Sequence, residues 1–323
     1  MAVAQTIVRR VGVFVLSLLG ATVVVFLIVQ ALPGDVAQAT LGMAATPEQV
    51  EALRERWGLN RPAWARYVSW LGGLFQGDLG QSYLTGQSVS GQIGPRLAVT
   101  CQLVGLSMPI AVLASVPTGL VAAMWRRRWQ GVVTSALSQI GMAAPIFFVG
   151  IVLVVVFAVR LNWLPANGYN PLLGPAGFDL AGWGSHLVLP VASLVIVQAS
   201  LLSRYVRNGF VEVLAEDYLR TARAVGWTKW RALVRHGLRN AALSIVTVIA
   251  LQISAMLVGA IIVEQVFALP GLGSLLLQAV ASRDLPVVRG IAILLVVVVL
   301  AISLVADLVY VLIDPRLRSR EAQ

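Results

Sequence analysis

The chain has 323 residues, of which 58% are hydrophobic and only 12% are charged, and its mean hydropathy is +0.85. Its 24 Lys and Arg residues outnumber its 14 Asp and Glu residues, which gives a formal net charge of +10. This composition excludes an ordinary soluble domain and is typical of an α-helical protein that crosses a membrane several times.

Six apolar runs are long enough to cross a bilayer. A span needs about 20 apolar residues to cross hydrocarbon about 30 Å thick. Because lipid cannot satisfy backbone polar groups, we expect each run to be a helix. The fourth run is short, and Pro145 should tilt or kink the third. The predicted spans cover residues 11–31, 98–124, 131–159, 187–203, 241–263 and 288–313.

The basic residues indicate the orientation of these spans. Sixteen of the 24 Lys and Arg residues fall on one side, which also receives both termini. The positive-inside rule makes that side cytoplasmic. A basic cytoplasmic face suits anionic headgroups and acidic partners, and we expect no nucleic-acid partner because no basic domain stands apart from the membrane. The first run, after Arg9 and Arg10, is longer than a signal-peptide core, so we expect it to be retained.

The first long loop, residues 32–96, should be an external helical insertion. Thr46 can cap a helix that has Gln49 three residues later, and Gly58 should end it. A second helix should begin near Pro62, and residues 77–89 should form an extended connection. The loop is either a lid over helix ends or a landing surface for an external partner. The second helix should present one face made of Trp64, Tyr67, Val68, Leu71 and Leu74.

The segment from Arg204 to Asn240, which we name the basic island, carries eight of the 24 Lys and Arg residues. Its pattern predicts a helix from Phe210 to Val225, with a Glu216–Arg220 pair on the polar face. Gly226 should allow a left-handed turn, and Thr228 should cap a second, basic helix. The pattern alone fits an amphipathic hairpin on anionic lipid or a docking surface. The predicted apolar stripe consists of Val211, Leu214, Ala215, Tyr218, Ala222 and Val225.

A short apolar segment, residues 264–287, follows the fifth span and is too short to cross the membrane. Pro270 and Gly271 mark a turn before it. It fits a re-entrant helix that closes the outer end of a path, or a plain interfacial hairpin. The candidate external gate consists of Pro270, Gly271, Leu272 and Gly273.

The sequence contains no pattern of catalytic residues. Cys101 is the only cysteine, which excludes an internal disulfide, and His186 and His236 fall on opposite predicted sides. No phosphate-binding loop is present, so ATP hydrolysis would have to come from another chain. We predict no enzyme activity and no metal or cofactor in this chain. Asp307, the one acidic residue deep in a span, is expected to have a structural or interface role.

Five glutamines occur in the predicted spans, one in each of the first five. Amides in lipid should face protein or a water-filled path. They can join helices, or they can bind peptide groups along a path without trapping them. The five are Gln30, Gln102, Gln139, Gln198 and Gln252. The candidate path residues are Gln139, Gln198 and Gln252.

Several motifs resemble the dipeptide/oligopeptide family of ABC-importer permeases, which nickel and glutathione importers also use. The island motif DYLRTARAVGW…RHGLRNA is similar to the variant of the cytoplasmic loop in that family. The general pattern of this loop in ABC-importer permeases is Glu-Ala-Ala, three residues, Gly, nine residues, then Ile-x-Leu-Pro. Only Ala222, Gly226 and Leu238 match that pattern, and Arg220 stands at the position of its glutamate. The likeness continues in GDLGQS, NWLPANGY, EQVFALPGLG and DPRLR, in the order expected of the first (B-type) permease subunit.

The resemblance implies an all-α permease with six transmembrane helices in the bacterial inner membrane, forming half of a translocation path. It implies four kinds of partner, namely a homologous second permease, two ATP-binding subunits that hold ATP and Mg, an external substrate-binding protein, and the lipid bilayer. The short island helix would dock in a cleft of the ATP-binding subunit. The implied coupling residues are Glu216, Asp217, Tyr218, Arg220, Thr221, Ala222, Arg223 and Gly226.

Two other classes of protein fit the sequence less well than a permease subunit does. A membrane-embedded enzyme would need a cluster of His, Asp or Glu near one interface. A self-sufficient secondary transporter would usually carry an internal repeat and charged residues within its spans. For an importer, the transported ligand stays open among peptides, nickel, glutathione and haem.

Overall fold

The computed structural model describes residues 2–31, 35–42, 44–174, 177–233, 235 and 238–313, with side chains throughout except at 2–6, 39, 229, 238–247 and 309–313. The described chain is predominantly helical. Its helices are α1 (Ala2–Gln30), α2 (Val36–Leu41), α3 (Pro47–Arg56), α4 (Ala63–Phe75), α5 (Val89–Met124), α6 (Trp129–Ala143), α7 (Ile146–Leu153), a π-helix (Val154–Arg160), α8 (Leu180–Ala215), α9 (Asp217–Ala224), α10 (Lys229–Ala232), α11 (Leu238–Val266), α12 (Leu272–Ala281) and α13 (Leu285–Ile313). Strands β1 (Leu173–Gly174) and β2 (Gly177–Phe178) form a short antiparallel pair.

Five of the six predicted spans are confirmed as single helices that are long and apolar enough to cross a membrane. The predicted third span is a bent pair, α6 followed by α7 and the π-helix, which forms either a broken sixth span or a re-entrant segment. Helix α8 runs well past both ends of the predicted fourth span, residues 187–203, so that prediction was too short. Hydropathy could not mark its ends because the extra turns contain polar residues.

The third span bends at Pro145, as expected. The two halves, Trp129–Ala143 and Ile146–Arg160, meet at 101°. Ala144 has an extended backbone (φ −73°, ψ 125°), which is the conformation that a following proline favours. Since Pro145 also lacks an N–H, the helix cannot continue through it.

The described chain forms two compact units, and α5 and α13 contribute residues to both. The first unit comprises Met1–Gln5, Thr100–Leu269 and Ile302–Gln323. Within it, α8 packs against α6, α7 and α11. A Cβ atom added at Gly119 of α5 would lie 2.7 Å from the carbonyl oxygen of Ser203 and 2.7 Å from Val206. The backbones of α5 and α8 are therefore in direct contact, as is common between membrane helices.

The second unit comprises Thr6–Val99 and Pro270–Ala301. Helix α4 packs on α1 through Trp70, whose ring stacks on Phe26 at 6.1 Å. On the predicted face of α4, Trp64 is 72% and Val68 is 59% exposed, whereas Trp70, which was not assigned to that face, is 8% exposed. Tyr67 and Leu74 of the predicted face do pack against the buried cluster that contains Trp70 and Phe26. The helical spacing of apolar residues allows either Leu71 or Trp70 to face α1. In the structure, the ring of Trp70 lies over Phe26.

Local signals in the first long loop are largely confirmed. Thr46 and Gln49 form a reciprocal capping box at the start of α3, and Gly58 has a left-handed backbone after it. Residues 77–89, predicted to be extended, instead fold back on themselves. The amide of Val89 donates to the carbonyl of Gly80 at 2.9 Å, and Gln81 pairs with Ser88. Glycines at 80 and 86 supply the left-handed residues of this reversal.

Candidate functional site

The basic island is two helices rather than one continuous helix. Helix α8 ends at Ala215, and α9 begins at Asp217. Glu216 between them is extended (φ −65°, ψ 142°), and its carbonyl accepts from the amides of Leu219 and Arg220. The predicted helix from Phe210 to Val225 is therefore wrong at Glu216, which acts as the N-terminal residue of a new helix.

A buried cluster holds α9 against the end of α8. Leu219 is 2% exposed and is the buried residue of α9. Tyr218 and Ala222 are half-buried against the same cluster. Because the inner side of α9 is fixed in this way, its other side stands in solvent with little freedom to rotate. The cluster consists of Ala123, Val206, Phe210, Val213, Leu219, Ala232 and Leu233.

The outer side of α9 carries most of the predicted coupling residues. Asp217 and Arg220 form an ion pair at 3.2 Å, with side chains 93% and 71% exposed. The predicted Glu216–Arg220 pair is not formed, because Glu216 lies outside the helix. An ion pair this exposed adds little to stability, so these charges can be re-paired by a partner at small cost. The predicted coupling residues that are exposed here are Glu216, Asp217, Arg220, Thr221 and Arg223.

The turn after α9 depends on Gly226. Its φ of +95° is left-handed, as predicted, and a Cβ atom there would meet nothing within 4 Å. The amide of Gly226 donates to Arg223 and that of Trp227 donates to Ala222, at 3.1 and 3.2 Å. This is a Schellman ending, which satisfies the last carbonyls of the helix. The hydroxyl of Thr228 then accepts from the amide of Arg231 at 3.3 Å, as a cap for α10.

The predicted apolar stripe of the island ends earlier than expected. Val225 is 75% exposed, and Ala215 is exposed as well. Beyond the turn, Trp227 and Trp230 are 38% and 52% exposed, and with Arg231 and Arg235 they line an open cavity of about 580 Å³. His236 lies outside the described residues, as do the side chains of Leu238 and Arg239.

The glutamines of the spans have different environments. The amide nitrogen of Gln198 donates to the backbone and side-chain oxygens of Gln252, at 2.9 and 3.0 Å. The oxygen of Gln102 accepts from Tyr169 and Trp183, at 3.1 and 2.9 Å. Gln30 is exposed. The Gln198–Gln252 bonds are of the kind expected for helix pairing, and a role for these residues in a path stays a prediction.

Gln139 is exposed on α6 and lines a cavity of about 230 Å³ in the first unit. Of the three candidate path residues, it is the one whose side chain faces open space in the described chain.

The candidate gate segment does contain a helix, α12. Pro270 is exposed, whereas Gly271, Leu272 and Gly273 are buried. Leu272 packs with Ile93 of α5 and Ile291 of α13 in one core cluster of the second unit. The segment is thus an integral part of that unit's core, and its role as a gate stays a prediction.

Two buried carboxylates were missed as candidates. Glu264, predicted to lie in an external loop, is 0% exposed in α11, and its Oε1 accepts from the hydroxyl of Thr100 at 2.5 Å. Asp284 is 4% exposed and accepts from the Ser82 hydroxyl and from the backbone amide of Tyr83. The apolar residues on both sides of Glu264 were the signal of its burial.

Tyr83 stacks on Trp57 with ring centroids 4.3 Å apart. Burial raises the pKa of its phenol above the usual value. Asp284 thereby fixes the turn that positions this aromatic pair.

Comparison with known proteins identifies the family. Residues 115–319 match the family described as "Binding-protein-dependent transport system inner membrane component", and residues 3–104 match its N-terminal counterpart. The chain belongs to this family. It is therefore a multi-pass inner-membrane permease subunit of an ABC importer, as its resemblance to that family implied. The matched range from 115 onward contains the whole island and the α12 segment.

This permease has similar relatives over nearly its full length. It is 38% identical to a "Putative peptide transport system permease protein" of Brucella abortus (strain 2308), over 97% of this chain and 98% of the relative. It is 36% identical, with the same coverage, to a glutathione transport system permease protein of Escherichia coli O6:H1. A crystal structure of an amino acid ABC transporter matches with a TM-score of 0.50 and 19% identity, over 68% of this permease and 94% of that chain. The last comparison supports the fold alone.

In the described part of this permease, no three His, Cys, Asp or Glu side chains come together as a metal site. His186 instead has its Nδ1 within 2.7 Å of the Gly182 carbonyl, one turn earlier in α8.

Proposed function

We propose that this permease imports short peptides, and that α9 couples it to ATP-binding subunits. Support for the substrate class comes from relatives named for peptide and glutathione transport. Glutathione is itself a tripeptide, so the two names describe one chemical class. Neither relative is named for nickel or haem transport.

The construction of α9 is the observation that carries the coupling proposal. Leu219 is buried at 2% exposure, while the Asp217 and Arg220 side chains on the same short helix are 93% and 71% exposed. A helix that only rested on lipid would bury its apolar face in the bilayer. Here that face is already covered by the chain's own cluster, so the charged face is left for a partner.

The remaining assembly follows from the family. We propose a homologous second permease, two ATP-binding subunits that hold ATP and Mg, and an external binding protein that delivers the peptide. The chain itself performs no hydrolysis in this scheme. Both termini and the basic island lie in the cytoplasm, where sixteen of the 24 Lys and Arg residues then fall.

The coupling proposal is tested by reversing charges on α9. Arg220→Glu with Arg223→Glu should remove attraction to the ATP-binding subunit and introduce like-charge repulsion. In the reconstituted complex, ATP hydrolysis stimulated by the loaded binding protein should fall at least tenfold, and the ATP-binding subunits should co-purify less. Arg126→Glu with Arg127→Glu is the matched control, because both arginines are exposed and lie outside the island.

Peptide binding to the external protein should be unchanged in all variants. Wild-type stimulated hydrolysis and normal co-purification of the α9 variant would refute coupling through α9. Transport of a ligand other than a peptide by the assembled wild-type complex would instead refute the substrate.

A further inference from the structure

A polar cavity of about 230 Å³ lies between α5, α6 and α8 of the first unit. It is separate from the coupling surface on α9. Pockets that hold whole drug-sized ligands are usually about 300–1,000 Å³, so this one has room for the end of a molecule. Its polar lining residues are Ser135, Ser138, Gln139, Ser203, Arg204 and Arg207.

The lining offers hydrogen-bond donors that have no protein partner. Ser203 is 2% exposed, and its buried hydroxyl makes no hydrogen bond among the described residues. The same holds for the buried Nε of Arg207. A buried donor left without a partner costs about 1–3 kcal/mol, so a site that keeps two such donors side by side is suited to an acceptor from outside the chain.

The charge of the cavity is positive. The guanidinium of Arg204 lies 5.5 Å from the ring centre of Tyr205, and in the described part of the chain neither Arg204 nor Arg207 pairs with a carboxylate. Among the described residues, no acidic side chain lines the cavity. An ionised carboxylate is an acceptor only, and it pairs with arginine through two parallel hydrogen bonds.

The cavity lies toward the cytoplasmic end of the spans. Arg204 and Arg207 follow the predicted fourth span, residues 187–203, and belong to the basic island. Gln139 of α6 lines the same cavity. A peptide that leaves the proposed path on the cytoplasmic side would therefore meet these donors.

We propose that this cavity binds the C-terminal carboxylate of a peptide at the cytoplasmic end of the spans, with Arg207 and Ser203 as the principal donors and Arg204 supplying further positive charge. Its identification with a peptide rests on the proposed function. The preference for a carboxylate rests on the donors alone. Because the cavity has no acidic group to bind the amino end, it holds the peptide by one end and leaves the remainder free to advance.

The test compares a dipeptide with its amide on the purified full-length chain in detergent. Ala-Ala should bind saturably in a calorimetric or NMR titration, and Ala-Ala amide, which lacks the carboxylate, should bind at least tenfold more weakly. Arg207→Gln should weaken Ala-Ala binding about tenfold and leave binding of the amide unchanged. Arg126→Gln, an exposed arginine outside the cavity, is the control and should bind like wild type.

Equal binding of the acid and the amide, or Ala-Ala binding that does not respond to Arg207→Gln, would overturn the proposal. Binding of phosphatidylglycerol vesicles through Arg207 with no binding of Ala-Ala would overturn it in favour of a lipid site. If Arg207→Gln fails to fold, Ser203→Ala and Arg207→Lys test the same donors. Arg207-dependent binding of Ala-Ala by a chain whose complex imports no peptide would keep the carboxylate site and reject the proposed substrate.

Discussion

Replacing Gly119 by Ala should destabilise the first unit by forcing α5 away from α8. The added methyl carbon would lie 2.7 Å from the carbonyl oxygen of Ser203 and 2.7 Å from two carbons of Val206. Carbon atoms prefer separations of about 3.5–4.0 Å, so the two backbones would have to separate by roughly 1 Å. Overpacking of this kind costs about 1–3 kcal/mol.

Gly105→Ala is the matched control. It lies on the same helix, and its Cβ atom would meet nothing within 4 Å. Both substitutions gain the same helix propensity, about 1 kcal/mol in water, so that gain cancels in the comparison. The difference between the two variants should therefore be the overpacking cost alone.

Thermal unfolding of the purified chain in detergent, followed by circular dichroism, measures this difference. For a domain of about 150–250 residues, 1 kcal/mol shifts Tm by about 2–4 °C. Gly119→Ala should thus melt about 2–12 °C below Gly105→Ala. Equal Tm values for the two variants would refute the close contact between α5 and α8.

Two further predictions concern the loops. Gly226→Val should destabilise the turn after α9 by about 1–2 kcal/mol, because the φ of +95° disfavours a β-branched residue. A Cβ atom at this position would touch no other atom, so the cost comes from the backbone alone. Hydrogen exchange of residues 217–228 should rise in this variant, and Gly226→Asn should have the smaller effect. At Asp35, burial raises the pKa, but hydrogen bonds from Arg54 and the Ala37 amide outweigh it and hold the pKa below its usual value. The stabilisation that the ionised Asp35 carboxylate gives the folded state is therefore present above the usual pKa of about 3.9. It is lost as the pH falls through the lowered pKa of the folded state. Melting temperatures from pH 7 to pH 2 should show this loss in wild type and a smaller one in Asp35→Asn. Parallel curves for the two proteins would contradict the prediction.

Much of the fold could be predicted because its signals are local. Apolar length predicted five single-helix spans and the bent pair, Pro145 predicted the break in that pair, and the Thr46–Gln49 pair predicted the start of α3. Gly226 was predictable for the same reason, since a glycine after a periodic helix marks a left-handed ending. Each of these features depends on only a few neighbouring residues.

The features that could not be predicted depend on contacts between distant segments. Trp70 rather than Val68 faces inward because Phe26, far away in sequence, provides the surface for its ring. Glu264 is buried because Thr100 of another helix binds it. The donors of the polar cavity come from α6 and α8, and no spacing within one helix shows that Ser203 and Gln139 line a common space.

The hydrogen bonds between Gln198 and Gln252 depend unequally on the two side chains. A side chain lost at position 252 removes one acceptor, but the backbone carbonyl of that residue remains available to the Gln198 amide at 2.9 Å. A side chain lost at position 198 removes the donor of both bonds. Substitution at position 252 should therefore disturb this contact less than substitution at position 198, although the two residues face each other in it.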